Sequence, residues 1–175
     1  YWSRERDIVM GSPIAGRTHK EVEPLIGFFV NTLVLRSEVS QRESFDQLLR
    51  RNRAMILDAF EHQEVPFDLL VEELQPERSL SHTPVFQIMF ALNRHEQRSD
   101  RQAAAPAGLR GPPLKSDSRR AVAKFDLTLN VTEHAEGLSL HWIYATSLFQ
   151  QSTLASMAAS FELLLKWITG NSAEP

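Results

Sequence analysis

Three stretches of this chain set hydrogen-bonding or ionisable side chains at spacings that chemistry uses. Gly11-Ser12-Pro13-Ile14-Ala15-Gly16-Arg17-Thr18 has the outline of a phosphate-cradling GxxxxGK[ST] loop, in which backbone N–H groups and a lysine surround phosphates at a helix N-terminus. Arg17 stands in place of that lysine, Pro13 removes a donor, and Glu21 to Pro24 opens no apolar helix. A strand end with a glycine-permitted turn is the better reading. Asn31 lies between Val30 and Thr32 in an otherwise apolar run, and a buried amide costs a few kcal/mol unless its hydrogen bonds are met. Two roles stay open for it: a satisfied structural amide, or a group turned toward a substrate. His62, with Glu64 and Asp68 close by, has the composition of an acid–base site. Val65-Pro66-Phe67 nevertheless puts a helix start between them, so His62 reads as a loop or capping residue. The six histidines show no HExxH or paired ligand spacing, which argues against metal catalysis. No GxSxG elbow is present either.

The elements that must position these residues follow from hydrophobic period. Ile8 to Met10 predicts a strand ending at Gly11, followed by a long ordered loop from Ser12 to Gly27. Phe29 to Arg36 alternates Phe29, Asn31, Leu33 and Leu35 with Val30, Thr32, Val34 and Arg36, a strand apolar on both sides and therefore buried. Ser40 with Glu43, or Ser44 with Gln47, offers a capping box before a helix expected to end near Glu61. Pro66 suits the first position of a shorter helix that Pro76 closes. Val85 to Leu92 is a further strand, and Phe125 to Val131 pairs with Leu138 to Tyr144 as a hairpin around Glu136-Gly137. A last helix runs from a Ser152 cap to Gly170 in a left-handed C′ conformation. Between strand and hairpin, His95 to Ala123 loses periodicity. A connection longer than about 15 residues in a compact domain is usually functional or disordered, and bridging to another lobe would explain its length.

Composition narrows the classes. A chain of 175 residues with 42% hydrophobic content can bury one core and has little room for a second domain. With 19 basic against 22 acidic residues and no long basic run, no nucleic acid is expected as a partner. There are no cysteines, so thiol chemistry and thiolate metal sites are excluded and a cytoplasmic location is expected. No apolar run is long enough to cross a membrane, and no membrane partner is expected. The opening Tyr1-Trp2-Ser3-Arg4-Glu5-Arg6 has neither an initiator Met nor a helix cap and is expected to be the cut end of an element begun upstream.

Two phrases in fixed order carry a family resemblance: Ile26-Gly27-Phe28-Phe29-Val30-Asn31-Thr32 and His62-Gln63-Glu64-Val65-Pro66-Phe67-Asp68. With Asp7 to Arg17, Arg78-Ser79-Leu80-Ser81-His82-Thr83-Pro84-Val85-Phe86-Gln87 and Lys124-Phe125-Asp126-Leu127, the chain resembles a condensation domain of nonribosomal peptide synthetases. The resemblance covers the family's C-terminal half. The family's HHxxxDG phrase belongs to the other half, and no two adjacent histidines occur here. It implies an α/β chloramphenicol-acetyltransferase-like two-layer sandwich lobe spanning 1–175, a mixed sheet with packed helices, and 95–123 as a latch arm. The implied activity of the whole domain is amide-bond formation between a carrier-bound donor thioester and the amine of a carrier-bound aminoacyl acceptor. No catalytic residue falls in this chain. Ser12, Gly16, Arg17 and Asn31 would line the substrate channel, with Arg17 pairing a carboxylate or phosphate, and Arg36 would sit at the lobe interface. No cofactor or metal is bound directly, since substrates arrive on the 4′-phosphopantetheine of carrier domains. Expected partners are the N-terminal lobe, the upstream and downstream carrier domains and an adjacent adenylation domain. A competing class is a non-catalytic condensation-like module that recruits a carrier or a tailoring enzyme. Ser147, where relatives commonly carry Asp, departs from the family wording, and Arg78 to Pro84 is closer to domains that accept a D-configured donor.

Overall fold

A computed structural model describes residues 5–40, 42–76, 83–94 and 122–170. The sheet has the order β2-β1-β3-β4-β5, formed by β1 (Asp7–Ile14), β2 (Asn31–Glu38), β3 (Ile88–Arg94), β4 (Leu127–His134) and β5 (Gly137–Tyr144). β1 runs antiparallel to β2 and parallel to β3, β3 runs parallel to β4, and β4 and β5 close the sheet as an antiparallel hairpin. The mixture follows from connection length. β4 and β5 need only the turn at Ala135 and Glu136, whereas parallel neighbours require a crossover long enough to carry a helix. Between the parallel neighbours β1 and β3 the chain runs through β2, α1 (Phe45–Glu61) and α2 (Phe67–Leu74), and α3 (Gln151–Gly170) follows β5.

Register sorts the side chains into two faces. Leu33 and Leu35 of β2 fall on the same face as Leu127, Leu129 and Val131 of β4, and all five are buried. α1 and α3 cover this face. Ser37 Oγ donates to Asn52 Oδ1 of α1 at 2.7 Å, and Trp142, opposite Leu129, meets Phe161 of α3 edge to face at 6.0 Å. Met89 and Ala91, also buried, lie on the opposite face with Gly11. The most deeply buried large side chain, Phe86, packs between Phe67 at 5.5 Å and Phe125 at 5.4 Å. Its ring also fills the space above Gly11, where an added Cβ would come within 2.3 Å.

Several sequence expectations shift. β1 continues past Gly11 to Ile14, and Gly11 is not a turn residue but the strand position that admits the Phe86 ring. The left-handed glycine lies further on, at Gly16 with φ +57°. β2 begins at Asn31 rather than Phe29 and forms a sheet edge among the described residues, with Val30 left 49% exposed. Helix α1 starts with the Ser44–Gln47 capping box and stops at Glu61 with His62 as its C-cap, both as expected. Pro66 is the N-cap of α2, with extended ψ 140°, and Phe67 takes the first helical position. α3 begins one residue before Ser152, and Gly170 is its last helical residue. The arm 95–123, apart from Val122 and Ala123, and residues 77–82 lie outside the described residues.

Candidate functional site

The residues between β1 and β2 and those between α1 and α2 meet in a cleft of about 360 Å³. On one wall are Gly16, Phe28, Phe29 and Asn31, and on the other Gln63, Glu64 and Pro66. The two phrases singled out in the sequence therefore face each other across one depression.

Asn31, the first residue of β2, fastens them together. Its Nδ2 donates to the carbonyl of Gln63 at 2.9 Å and to that of Val65 at 2.8 Å. Its Oδ1 accepts from the N–H of Phe67 at 3.2 Å. That N–H belongs to the first turn of α2, where no helical carbonyl precedes it, and Pro66, the N-cap, offers no side-chain hydrogen bond. A side chain 36 residues away does the capping instead. Both Nδ2 hydrogens and the carboxamide oxygen of Asn31 are engaged within the chain, so its amide is hydrogen-bonded without any substrate present. The amide's place on the cleft wall is kept, while its polar atoms hold the opposite wall.

Arg17 performs the corresponding service for the first wall. Its guanidinium donates to the carbonyls of Val22, Glu23 and Leu25, the last two at 2.8 and 2.9 Å, and lies 4.3 Å from the Phe29 ring centroid. The group expected to meet a carboxylate or phosphate is thus occupied by backbone carbonyls of its own loop. Gly16 allows the loop to close, since a Cβ there would stand 2.0 Å from the Phe29 carbonyl oxygen.

The remaining expected site residues lie apart from this cleft. Ser12 is half-buried within β1, paired with Leu33, and does not line the cleft. Arg36 makes a two-pronged ion pair with Asp7 across β1 and β2, Nε to Oδ1 at 2.9 Å and Nη2 to Oδ2 at 2.8 Å. Both side chains are exposed, and the hydrogen bond from Arg36 holds the Asp7 carboxyl below its ordinary range. His62 is exposed at the α1 terminus. Among the described residues no charged or polar side chain is fully buried, and no group of three His, Asp or Glu could hold a metal. Chemically, the arrangement can shape and bound the walls of a cleft. The described side chains in it supply no paired acid and base.

The condensation-domain family model matches residues 1–175. The chain belongs to the condensation-domain family. It is 44% identical over 170 residues to one of the linear gramicidin synthase proteins of Brevibacillus parabrevis, a match covering 97% of this chain and 3% of that protein. It is 40% identical over 174 residues to surfactin synthase subunit 1 of Bacillus subtilis strain 168, covering 99% of this chain and 5% of that protein. The condensation-family chain thus spans a small fraction of the length of the curated relatives it matches. Among solved structures, a four-domain nonribosomal peptide synthetase bound to AMP and glycine superposes with TM-score 0.81 at 22% identity, over 96% of this chain and 14% of that chain. The X-domain from teicoplanin biosynthesis superposes with TM-score 0.77 at 26% identity, over 97% of this chain and 38% of that one. The fold is that of condensation domains, the chloramphenicol-acetyltransferase-like α/β architecture expected from the sequence. Among the described residues no helix is long and apolar enough to cross a membrane.

What sequence reasoning missed was the partners of Asn31 and the occupation of Arg17. Neither is local: the partners of Asn31 lie 32 to 36 residues away, and Arg17 binds carbonyls, which have no sequence signature.

Proposed function

We propose that this chain is the C-terminal lobe of a nonribosomal peptide synthetase condensation domain, acting in the cytoplasm, and that with the rest of that domain it forms an amide bond between two carrier-bound substrates. The acceptor amine attacks the donor thioester carbon, a C–N bond forms as the C–S bond breaks, and the amine proton ends on the departing thiol. The acid–base or amine-orienting group comes from the N-terminal lobe, by resemblance a histidine of the HHxxxDG phrase. This lobe contributes the channel wall: Gly16 and Asn31 line it, Arg17 fixes the loop on its near side, and Ser12 belongs to the strand beneath. Arg36 with Asp7 steadies the strand ends where the two lobes approach. No cofactor is held by the lobe itself, and the phosphopantetheine arms belong to carrier domains that dock upstream and downstream, beside an adenylation domain.

The observation that carries the proposal is the Asn31 clamp, which joins the two family phrases into one wall, together with the family match over the whole chain. Intact-protein mass spectrometry of donor- and acceptor-loaded carriers tests it. The complete domain is expected to yield the dipeptidyl carrier, and this chain alone is expected to yield none above background. Turnover by the chain alone would overturn the division of labour. The alternative is a non-catalytic condensation-like module that recruits a carrier or a tailoring enzyme, which a complete domain that binds carriers without forming product would favour.

A further inference from the structure

The loop leading to the clamp carries an unusual surface. Ile26 is 104% exposed, Phe28 92%, Leu25 51% and Val30 49%. Four exposed apolar side chains fall within six residues, Phe28 and Val30 at the rim of the cleft and Leu25 and Ile26 outside it, whereas the exposed apolar residues of an ordinary surface are scattered. A slack loop would fold such side chains against the protein. This one is held away from it by Arg17 on the carbonyls of Val22, Glu23 and Leu25, by the guanidinium over Phe29, and by the left-handed turn at Gly16. The arrangement resembles a preorganised anchor, since the ordering cost is met before contact.

Building on the lobe assignment above, we propose that the Ile26–Phe28 tip is a plug that seats permanently in an apolar socket, basic at its rim, on the part of the condensation domain outside this chain. Two observations select that occupant. The chain accounts for 36% to 39% of solved chains such as the X-domain and the starter condensation domain of rhizomide synthetase, so more than half of such a unit remains to face it. In the same loop and across the cleft, Glu21, Glu23 and Glu64 are exposed against one exposed lysine, Lys20, an acidic excess that suits a basic rim and disfavours a second copy of the same surface. A carrier domain must arrive and leave, and transient contacts are smaller and more polar than a fully exposed Ile and Phe on a fixed loop.

Thiol labelling tests the plug, because this chain has no cysteine of its own. In the complete domain, freed of other accessible cysteines, Ile26→Cys and Phe28→Cys are each compared with Glu136→Cys, which lies in the exposed β4–β5 turn. The plug predicts maleimide reaction at 26 and 28 at least about tenfold slower than at 136, independent of protein concentration and without carriers present. Adding Arg17→Lys should accelerate labelling at 26 and 28 and leave 136 unchanged. Equal rates at all three positions overturn the plug. Protection that rises with protein concentration assigns the tip to a second copy, and protection that needs a carrier assigns it to the carrier, and either outcome overturns the proposal. The mass-spectrometric assay on the unsubstituted domain is run in parallel. An inactive domain with protected cysteines refutes the enzymatic reading while upholding the plug, and an active domain with reactive cysteines does the reverse.

Discussion

Replacing Asn31 by alanine in the complete domain removes three hydrogen bonds at once: two from Nδ2 to the carbonyls of Gln63 and Val65, and one from Phe67 N–H to Oδ1. A hydrogen bond contributes about 1 kcal/mol net, and loss of a helix cap costs roughly 0.5 to 2 kcal/mol. The Val65 bond is at an exposed position, where water replaces the lost donor, so its share is small. The sum is about 2 kcal/mol, concentrated on the start of α2 and the loop before it. Global unfolding dilutes so local a change, whereas hydrogen exchange reads it directly. The Phe67 amide, with those of Leu69 and Leu70 that donate to the Pro66 carbonyl, should lose protection by ~30-fold, since each 1.4 kcal/mol is about tenfold. Amides of β4 and β5 should keep theirs. Asn31→Asp separates acceptor from donor: it retains an oxygen for Phe67 N–H but turns a carboxylate toward two carbonyls, so protection should fall at neutral pH and partly recover in acid as the carboxyl protonates. Unchanged Phe67 protection in Asn31→Ala would refute the clamp. A fall in condensation with protection intact would instead mean that the amide acts on substrate.

Gly16→Ala should cost more than about 1 kcal/mol through its positive φ alone, and more again through the Phe29 carbonyl 2.0 Å from the new Cβ; a thermal midpoint equal to the parent's would contradict this. Gly11→Ala should destabilise by about 1 to 3 kcal/mol by overpacking against the Phe86 ring, and Gly11→Ala with Phe86→Leu should recover part of that loss in denaturant titrations. Arg17→Lys, which keeps the charge, cannot reproduce a planar group that meets three carbonyls and an aromatic face; proteolysis within 18–30 should accelerate, and an unchanged rate would show that the loop holds itself. The Asp7 carboxyl titrates below its ordinary range because Arg36 hydrogen-bonds its charged form, so its contribution is present above the unfolded carboxylate pKa and fades as pH falls through the folded value. Asp7→Asn and parent should therefore differ in midpoint near neutrality and converge in acid, and curves that stay parallel to low pH would exclude the linkage.

Legibility in the sequence tracks the range of the forces involved. The capping box at Ser44 and Gln47, the end of α1 at Glu61 and the β4–β5 hairpin are set by neighbours within a few residues, and all three are readable from the chain. The start of β2 lies two residues later than alternation implies, because alternation alone cannot tell that Phe29 is engaged by the Arg17 guanidinium. Gly11 looks like a turn residue because the sequence does not show an aromatic ring arriving from residue 86. The two family phrases supply the two walls of the cleft. Gly16 and Asn31 share the cleft, while Ser12 and Arg36 sit elsewhere on the first two strands. The direction in which Asn31 commits its hydrogen bonds depends on loops distant in the chain, and no local pattern encodes it.

The clamp also constrains exchange of segments between related synthetases. Because Asn31 addresses main-chain atoms of residues 63, 65 and 67, a crossover placed between the two phrases need not match side chains across the junction. It must preserve the path of the receiving loop, including the proline that withholds an N–H at 66. Grafts that carry 31 through 67 as a block keep donor and acceptors in one inherited geometry. Grafts cut inside that interval depend on two loops from different parents agreeing to within a few tenths of an ångström.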